Sequence, residues 1–152
     1  EFSAWKGFFR QYEAILVAAD EADIIRARSN ARGENVYIYR LAIPPEQLRT
    51  LFLAYVEQAQ KLEKTPEFYN TLTSNCTTVV FDIAKRIVPD LPLDYRLLLS
   101  GYFAEYAHAQ GGLVEGFGYT ELQEKGYIVP RAKAMQAGEN FSEVIRRGVP
   151  GM

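Results

Sequence analysis

Two segments of the chain carry apolar residues at the spacing of an amphipathic helix. Pro45–Lys64 has them at i, i+3, i+4 and i+7, behind a proline suited to a first helical turn. Cys76–Val88 repeats the pattern, Pro89 follows it, and either Ser74 or Asn75 is suited to cap its start. We expect these two helices to supply the core, with six side chains almost fully buried: Leu51, Phe52, Val56, Val80, Ile83 and Ile87.

Two shorter segments indicate strands. Tyr12–Ala19 contains an apolar run with β-branched residues, which predicts a buried strand. Asn35–Leu41 predicts a second strand, because successive side chains alternate between two faces: Val36, Ile38 and Arg40 on one, and Tyr37, Tyr39 and Leu41 on the other. Between them, Asp20–Arg28 has acids at its start and arginines near its end, which is typical of a short capped helix. Asn30–Glu34 is typical of a turn. The pattern predicts an α+β fold, in which a small antiparallel sheet packs against the two longer helices.

The last third of the chain has a weaker pattern. Tyr95–Gln110 is predicted to be helical with an interruption at Gly101. Further on, short helical stretches such as Tyr119–Lys125 and Glu139–Arg147 alternate with glycines and prolines. We expect this tail to be helical or irregular and to bury little of its surface.

Composition narrows the possible functions. Seventeen basic and nineteen acidic side chains give a net charge of −2, which disfavours a nucleic-acid binder. With one Cys and one His, the chain has no internal disulfide, and we expect no metal site and no cofactor. No apolar run approaches the roughly 18 residues that a membrane-spanning helix needs. The aromatic and basic stretch Trp5–Arg10 favours a packed edge, with contact to a membrane surface as the alternative.

The sharpest chemical signal is the string SNCTT at residues 74–78. Cys76 would stand in the first turn of a helix, where N–H groups and the helix dipole stabilise a thiolate or an oxyanion. The alternative is a buried structural cysteine. A thiol nucleophile needs a base, and the one histidine, His108, lies beside the apolar stripe of its helix. We therefore expect His108 to be a solvated residue and not the base.

Three longer strings carry a resemblance to a known family. They are FRQYEAILVAADEADIIRARSNARGENVYIYRL at 9–41, EFYNTLTSNCTTVVFDIA at 67–84 and LPLDYRLLLSGYFAEY at 91–106. They resemble the bacterial Lnb N-terminal periplasmic domain family over roughly residues 1–113, a partial domain, and leave 114–152 as a tail of uncertain structure. The resemblance implies a permuted papain-like fold. It also implies a periplasmic location, with tethering to the inner membrane through segments outside this chain.

The family resemblance also implies a reaction. Named members are lipoprotein N-acyltransferases, which would move a fatty acyl chain from a phospholipid to the amino terminus of a lipoprotein through a cysteine thioester. Matched residue by residue, Cys76 corresponds to the nucleophile, and Asn75 and Thr77 correspond to its flanking residues. The family's histidine is expected upstream of Glu1. The chain is therefore expected to be a fragment that lacks its base and is inactive alone, with loss of the base role as the alternative. The implied partners are a phospholipid, a lipoprotein and a membrane surface, and not a nucleic acid.

Two other functions remain open at this point. One keeps Cys76 as the nucleophile of a papain-like amide hydrolase, which needs a cleft with polar backbone contacts. The other is a non-catalytic periplasmic binding or scaffold domain, which predicts a buried and unreactive Cys76. An acyltransferase instead needs a wide apolar groove beside Cys76.

Overall fold

The chain is divided into two compact units. A computed structural model describes residues 12–70 and 75–152. The first unit combines the described part of Glu1–Leu16 with Ile43–Gln110, and the second combines Val17–Ala42 with Gly111–Met152. The predicted division of the chain at residue 113 stays a prediction.

The described residues are mostly helical. A π-helical turn, Ala27–Ala31, follows the first helix, and two 3₁₀ turns, Tyr95–Leu97 and Ser100–Tyr102, precede the fourth. Within residues 12–70 and 75–152 the α-helices are α1 Glu21–Arg26, α2 Pro45–Lys64, α3 Cys76–Ala84, α4 Phe103–Ala109, α5 Tyr119–Gly126, α6 Val129–Ala134 and α7 Phe141–Arg146.

The predicted α+β fold with an antiparallel sheet is wrong. Among the described residues there is no strand, and their β pairing consists of isolated bridges such as Glu13–Phe68, Tyr37–Tyr127 and Leu41–Leu113. The papain-like architecture that the resemblance implied is therefore not seen in this part of the chain. A segment rich in β-branched residues suits a half-buried pleated surface, but it forms a sheet only if neighbouring strands are present. The described residues contain no such neighbouring strands.

The two predicted strands are extended segments with single-residue pairing. In Tyr12–Ala19, Ile15 is 74% exposed, which contradicts a buried strand. Asn35–Leu41 also makes long-range backbone contacts, since the Ile38 N–H donates to the Gly126 carbonyl at 3.0 Å. A Cβ at Gly126 would lie 2.6 Å from the Ile38 carbonyl oxygen, so only glycine allows this approach.

Most of the predicted helices are confirmed, with changes at their ends. Helix α2 has the predicted bounds, and α3 ends at Ala84, short of the predicted Val88. The expected interruption at Gly101 is also present, since Ser100–Tyr102 is a 3₁₀ turn. The Asp20 carboxylate caps α1 by accepting from the Ala22 N–H at 2.7 Å.

The predicted core of the first unit is only partly confirmed. Ile83 is 4% exposed, as expected, but Phe52 is 66% exposed and Val56 is also exposed. Leu51, Val80 and Ile87 are half-buried, so the prediction of near-complete burial is wrong for them as well. The buried cluster of this unit instead joins α3 to the segments that follow it, through Phe81, Leu97 and Tyr106.

The second unit has its core in the segment that the sequence predicted to bury little. A cluster of buried side chains joins α6 and α7, and Val36 and Ile38 pack against it. The members of the cluster are Ile128, Ala132, Phe141 and Ile145. The expectation of a tail with little burial is therefore wrong. Helices α5 to α7 have eight, six and six residues, too few turns for a clear apolar period.

An ion pair ties α1 to α7 within the second unit. The Arg146 guanidinium donates to both carboxylate oxygens of Glu21, at 2.5 and 2.7 Å. These hydrogen bonds are the main cause that lowers the pKa of Glu21 below its usual 4.5. The two side chains are each about one-third exposed, so water screens part of the interaction.

Substitutions in the first unit test which helix face is buried. Ile83→Ala is expected to lower the free energy of unfolding by about 2–5 kcal/mol, because a buried side chain is lost and a cavity remains. Phe52→Ala, the matched control, removes an exposed side chain and is expected to change it by less than about 0.5 kcal/mol. Urea unfolding of both variants measures this, and a larger loss for Phe52→Ala would contradict the described faces.

The Glu21–Arg146 pair predicts a dependence of stability on pH. Because the folded pKa of Glu21 lies below its unfolded value, the pair stabilises the fold above pH 4.5 and loses this effect as the pH falls through the folded pKa. Arg146→Gln is therefore expected to cost about 0–1 kcal/mol at neutral pH and less in acid. Urea unfolding across this range, with Lys133→Gln as the charge-matched control, measures the difference. An equal loss at both ends of the range would contradict the assignment.

Candidate functional site

Helix α3 begins at a complete capping box. The Asn75 Oδ1 accepts from the Thr77 N–H at 2.8 Å and from the Thr78 N–H at 2.9 Å. In return the Thr78 hydroxyl accepts from the Asn75 N–H at 2.9 Å. Asn75 and Thr77 are both buried. The prediction of a cap is confirmed for Asn75, whereas Ser74 lies outside the described residues. The cap holds the start of α3 in one conformation.

Cys76 is the first residue of α3, and its thiol is free and exposed. This contradicts the buried structural cysteine that the non-catalytic hypothesis predicted. The donors around it differ from those expected. The Asn75 side chain already accepts from the N–H groups of Thr77 and Thr78. The first-turn donor next to the thiol is therefore the Cys76 N–H, which the Asn75 side chain leaves to other partners. Whether Cys76, Asn75 and Thr77 form a catalytic site stays a prediction.

Tyr69 is a further residue at this site, which the sequence analysis did not single out. A short pairing fixes its backbone, because its N–H donates to the Tyr12 carbonyl at 2.7 Å and the Ala14 N–H donates to the Glu67 carbonyl at 2.8 Å. Burial raises the pKa of Tyr69, and its electrostatic interaction with Cys76 raises it further. The phenol therefore stays protonated beside the thiol. The sequence offered one signal for Tyr69, which is its position seven residues before Cys76 in the string FYNTLTSNCTT.

His108 lies in α4 and is half-buried. The same helix contributes Tyr106 to the buried cluster, where the Tyr106 hydroxyl donates to the Pro92 carbonyl at 2.8 Å. Because His108 is half-buried, the expectation that it is a solvated residue is not confirmed. The expectation that His108 is not the base for Cys76 stays a prediction.

A polar groove lies between α2 and α3 in the first unit, with a volume of about 140 Å³. We call it the α2–α3 groove. Lys61 on α2, Glu67 in the following segment, Asp82 on α3 and Arg86 beyond its end supply its charged lining. Cys76 does not line it, and its volume is well below the roughly 300 Å³ of small ligand pockets. The groove is therefore not the wide apolar site that an acyl chain needs.

Apolar side chains are exposed elsewhere on the first unit. Phe68, beside Tyr69, is exposed, and α2 exposes a stripe of larger side chains: Leu48, Phe52, Leu53 and Val56. Among the described residues, no helix combines the length and apolar character needed to cross a bilayer. The same residues hold no cluster of three or more His, Cys, Asp or Glu side chains placed to bind a metal ion.

Comparison with known proteins gives one match. Residues 1–101 match the sequence profile of the family described as the Lnb N-terminal periplasmic domain. The match includes Tyr69, the capping box and Cys76. Neither the curated proteins nor the solved structures contain a match to the chain.

The cap at Asn75 predicts a local effect on the thiol. Asn75→Ala is expected to cost about 0.5–2 kcal/mol of stability, because two N–H groups lose their acceptor. The rate of iodoacetamide reaction with Cys76 is expected to change as well, since the start of α3 loosens.

Asn140→Ala is the matched control, because Asn140 caps α7 through the Glu143 N–H at 3.2 Å. It is expected to lower stability and to leave the alkylation rate of Cys76 unchanged. Equal alkylation rates in the two variants would show that the Asn75 cap does not organise the thiol.

Proposed function

The chain belongs to the Lnb N-terminal periplasmic domain family, and we propose that it forms part of a cysteine acyltransferase. The proposed reaction moves a fatty acyl chain from a phospholipid to the amino terminus of a lipoprotein. Family membership supports a periplasmic domain. Tethering to the inner membrane is part of the proposal. The observation that carries the chemistry is the free, exposed thiol of Cys76 at the capped start of α3.

The reaction is proposed to have two steps. The Cys76 thiolate attacks the ester carbonyl of the phospholipid, forming a C–S bond and breaking the bond to the glycerol oxygen. That oxygen takes the proton that the thiol gave up, and a lysophospholipid leaves. The amino group of the lipoprotein then attacks the thioester, an amide forms, and the thiolate returns as the nitrogen loses a proton to the general base.

The surroundings of Cys76 support this chemistry. A thiolate at the first residue of a helix is stabilised by the positive end of the helix dipole. The protonated phenol of Tyr69 is a donor suited to a thiolate or to the oxyanion of the tetrahedral intermediate, because its raised pKa keeps the proton on its oxygen. The Cys76 N–H lies next to the reacting sulfur and is the backbone donor proposed for the same oxyanion.

The apolar side chains exposed on the first unit support an acyl substrate. Phe68 precedes Tyr69 directly, so an exposed aromatic side chain is the chain neighbour of the residue that interacts electrostatically with Cys76. Exposed side chains of this size suit lipid tails, and contact with a membrane surface is proposed for this unit. A papain-like amide hydrolase would use the same thiol and differs in the bond that it breaks.

Replacement of Cys76 tests the thioester. Cys76→Ser in the intact protein is expected to abolish acyl transfer, because an acylated serine is an oxygen ester that an amine attacks slowly. Mass spectrometry of lipoprotein amino termini, from cells that express each variant, measures transfer. Thermal unfolding checks that the fold is kept. Full transfer by Cys76→Ser would refute the mechanism, and cleavage of a peptide bond in place of lysophospholipid release would support the amide hydrolase.

Replacement of His108 tests the expectation that it is not the base. His108→Gln is expected to keep acyl transfer within about twofold, because a general base contributes about a hundredfold or more. The dependence of the Cys76 alkylation rate on pH is expected to stay unchanged as well. A loss of transfer with a folded protein would identify His108 as a member of the site.

A further inference from the structure

The α2–α3 groove has a charge pattern that no step of the proposed reaction uses. Two of its lining side chains, Lys61 and Arg86, are cations, and two, Glu67 and Asp82, are anions. Ile83 is buried and forms an apolar floor between them. The lining therefore carries both signs of charge and sums to zero. A ligand with both signs of charge matches it better than an anion or a cation alone.

The charged groups of the groove are held by exposed ion pairs. Arg86 pairs with Glu57, which lies outside the lining, and Lys61 pairs with Glu67 at 2.6 Å. Such exposed pairs contribute little to stability, so a ligand can exchange with them at little cost. Asp82 is the acid with the loosest ion pair, because its contact with Lys85 is 3.9 Å long and its side chain is 73% exposed.

The positions of Asp82 and Arg86 suit a short zwitterion. Asp82 lies in the last turn of α3, Arg86 lies in the turn that follows the helix, and both line the groove. The guanidinium of Arg86 can bind two oxygens of a phosphate, and the Asp82 carboxylate can accept from an ammonium. The groove volume of about 140 Å³ suits a head group and excludes an acyl chain.

We propose that the α2–α3 groove binds a phosphoethanolamine-type group, with its phosphate on Arg86 and its ammonium on Asp82. The inference rests on the proposed function in one respect, which is that the group is the head group of the acyl donor. Val79 lines the groove and follows Cys76 by three residues, so a lipid held there has its ester within reach of the start of α3.

Binding of soluble head groups tests the site. Glycerophosphoethanolamine is titrated into the 152-residue chain while the amide resonances of Val79 and Ile83 are followed by NMR. Glycerophosphoglycerol, which has the phosphate and lacks the ammonium, is the comparison ligand. The zwitterion is expected to bind about tenfold more tightly, since it adds one charge-assisted hydrogen bond. Equal binding of the two ligands, or no binding, would overturn the proposal.

Variants separate a ligand site from a set of structural ion pairs. Arg86→Gln is expected to weaken both ligands, whereas Asp82→Asn is expected to weaken only the zwitterion, each by about tenfold. Glu57→Gln breaks the same ion pair as Arg86→Gln but keeps the guanidinium, so it is expected to bind at least as tightly as the unmodified chain. If Glu57→Gln weakens binding as much as Arg86→Gln does, the residues serve structure and the proposal fails. Lys64→Gln, outside the lining, is the charge control.

The source of the group and the chemistry at Cys76 are tested separately. Phosphatidylethanolamine in nanodiscs is expected to compete with the soluble ligand, and a failure to compete would refute a lipid source while leaving a soluble phosphoethanolamine ester. Cys76→Ser is expected to keep head-group binding. Unchanged binding in Arg86→Gln and Asp82→Asn, with Cys76 still required for transfer, would refute the groove alone. If Cys76→Ser binds the head group and still transfers the acyl chain fully, the thioester mechanism is refuted and the groove proposal stands.

Discussion

The side chain of Asn75 determines where helix α3 begins, because its Oδ1 takes the N–H groups of both Thr77 and Thr78. Thr78 closes the box from the other side through its hydroxyl. This cap is buried, and it holds the helix start in one conformation. Cys76 is the first residue of the helix, and its thiol is open to solvent. The same bonds limit the chemistry, since two donors that an oxyanion could have used are already engaged.

The position of Cys76 connects the rest of the first unit to the proposed reaction. Beyond the cap, α3 buries Phe81 and Ile83, which anchors the helix, and the pairing of residues 12–14 with 67–69 holds Tyr69 where it interacts with the thiol. The thiol and the phenol therefore come from segments that are held by separate contacts. The apolar side chains that remain exposed on α2 are available to the acyl chains of the proposed substrate.

Local signals were enough to predict several elements. Pro45 at a first helical position and four turns of apolar periodicity predicted α2 with its observed bounds. The short acceptor side chains of Ser74 and Asn75 predicted a cap at one of these two positions, and Asn75 is the cap in the structure. Tyr69 was missed because its role depends on a long-range pairing with Tyr12 that has no local pattern. The sheet was predicted from composition, which does not show whether a neighbouring strand exists.

The sequence by itself determined which residues share a helix face and where the thiol stands in its helix, because periodicity and capping act within a few residues. Only the tertiary structure decided which face is covered. Phe52 is exposed although it lies on the apolar side of α2, since contact with another element is what buries a face. Ile128 and Ile145 form a core although their helices are short, because Val36 and Ile38, distant in sequence, pack against them.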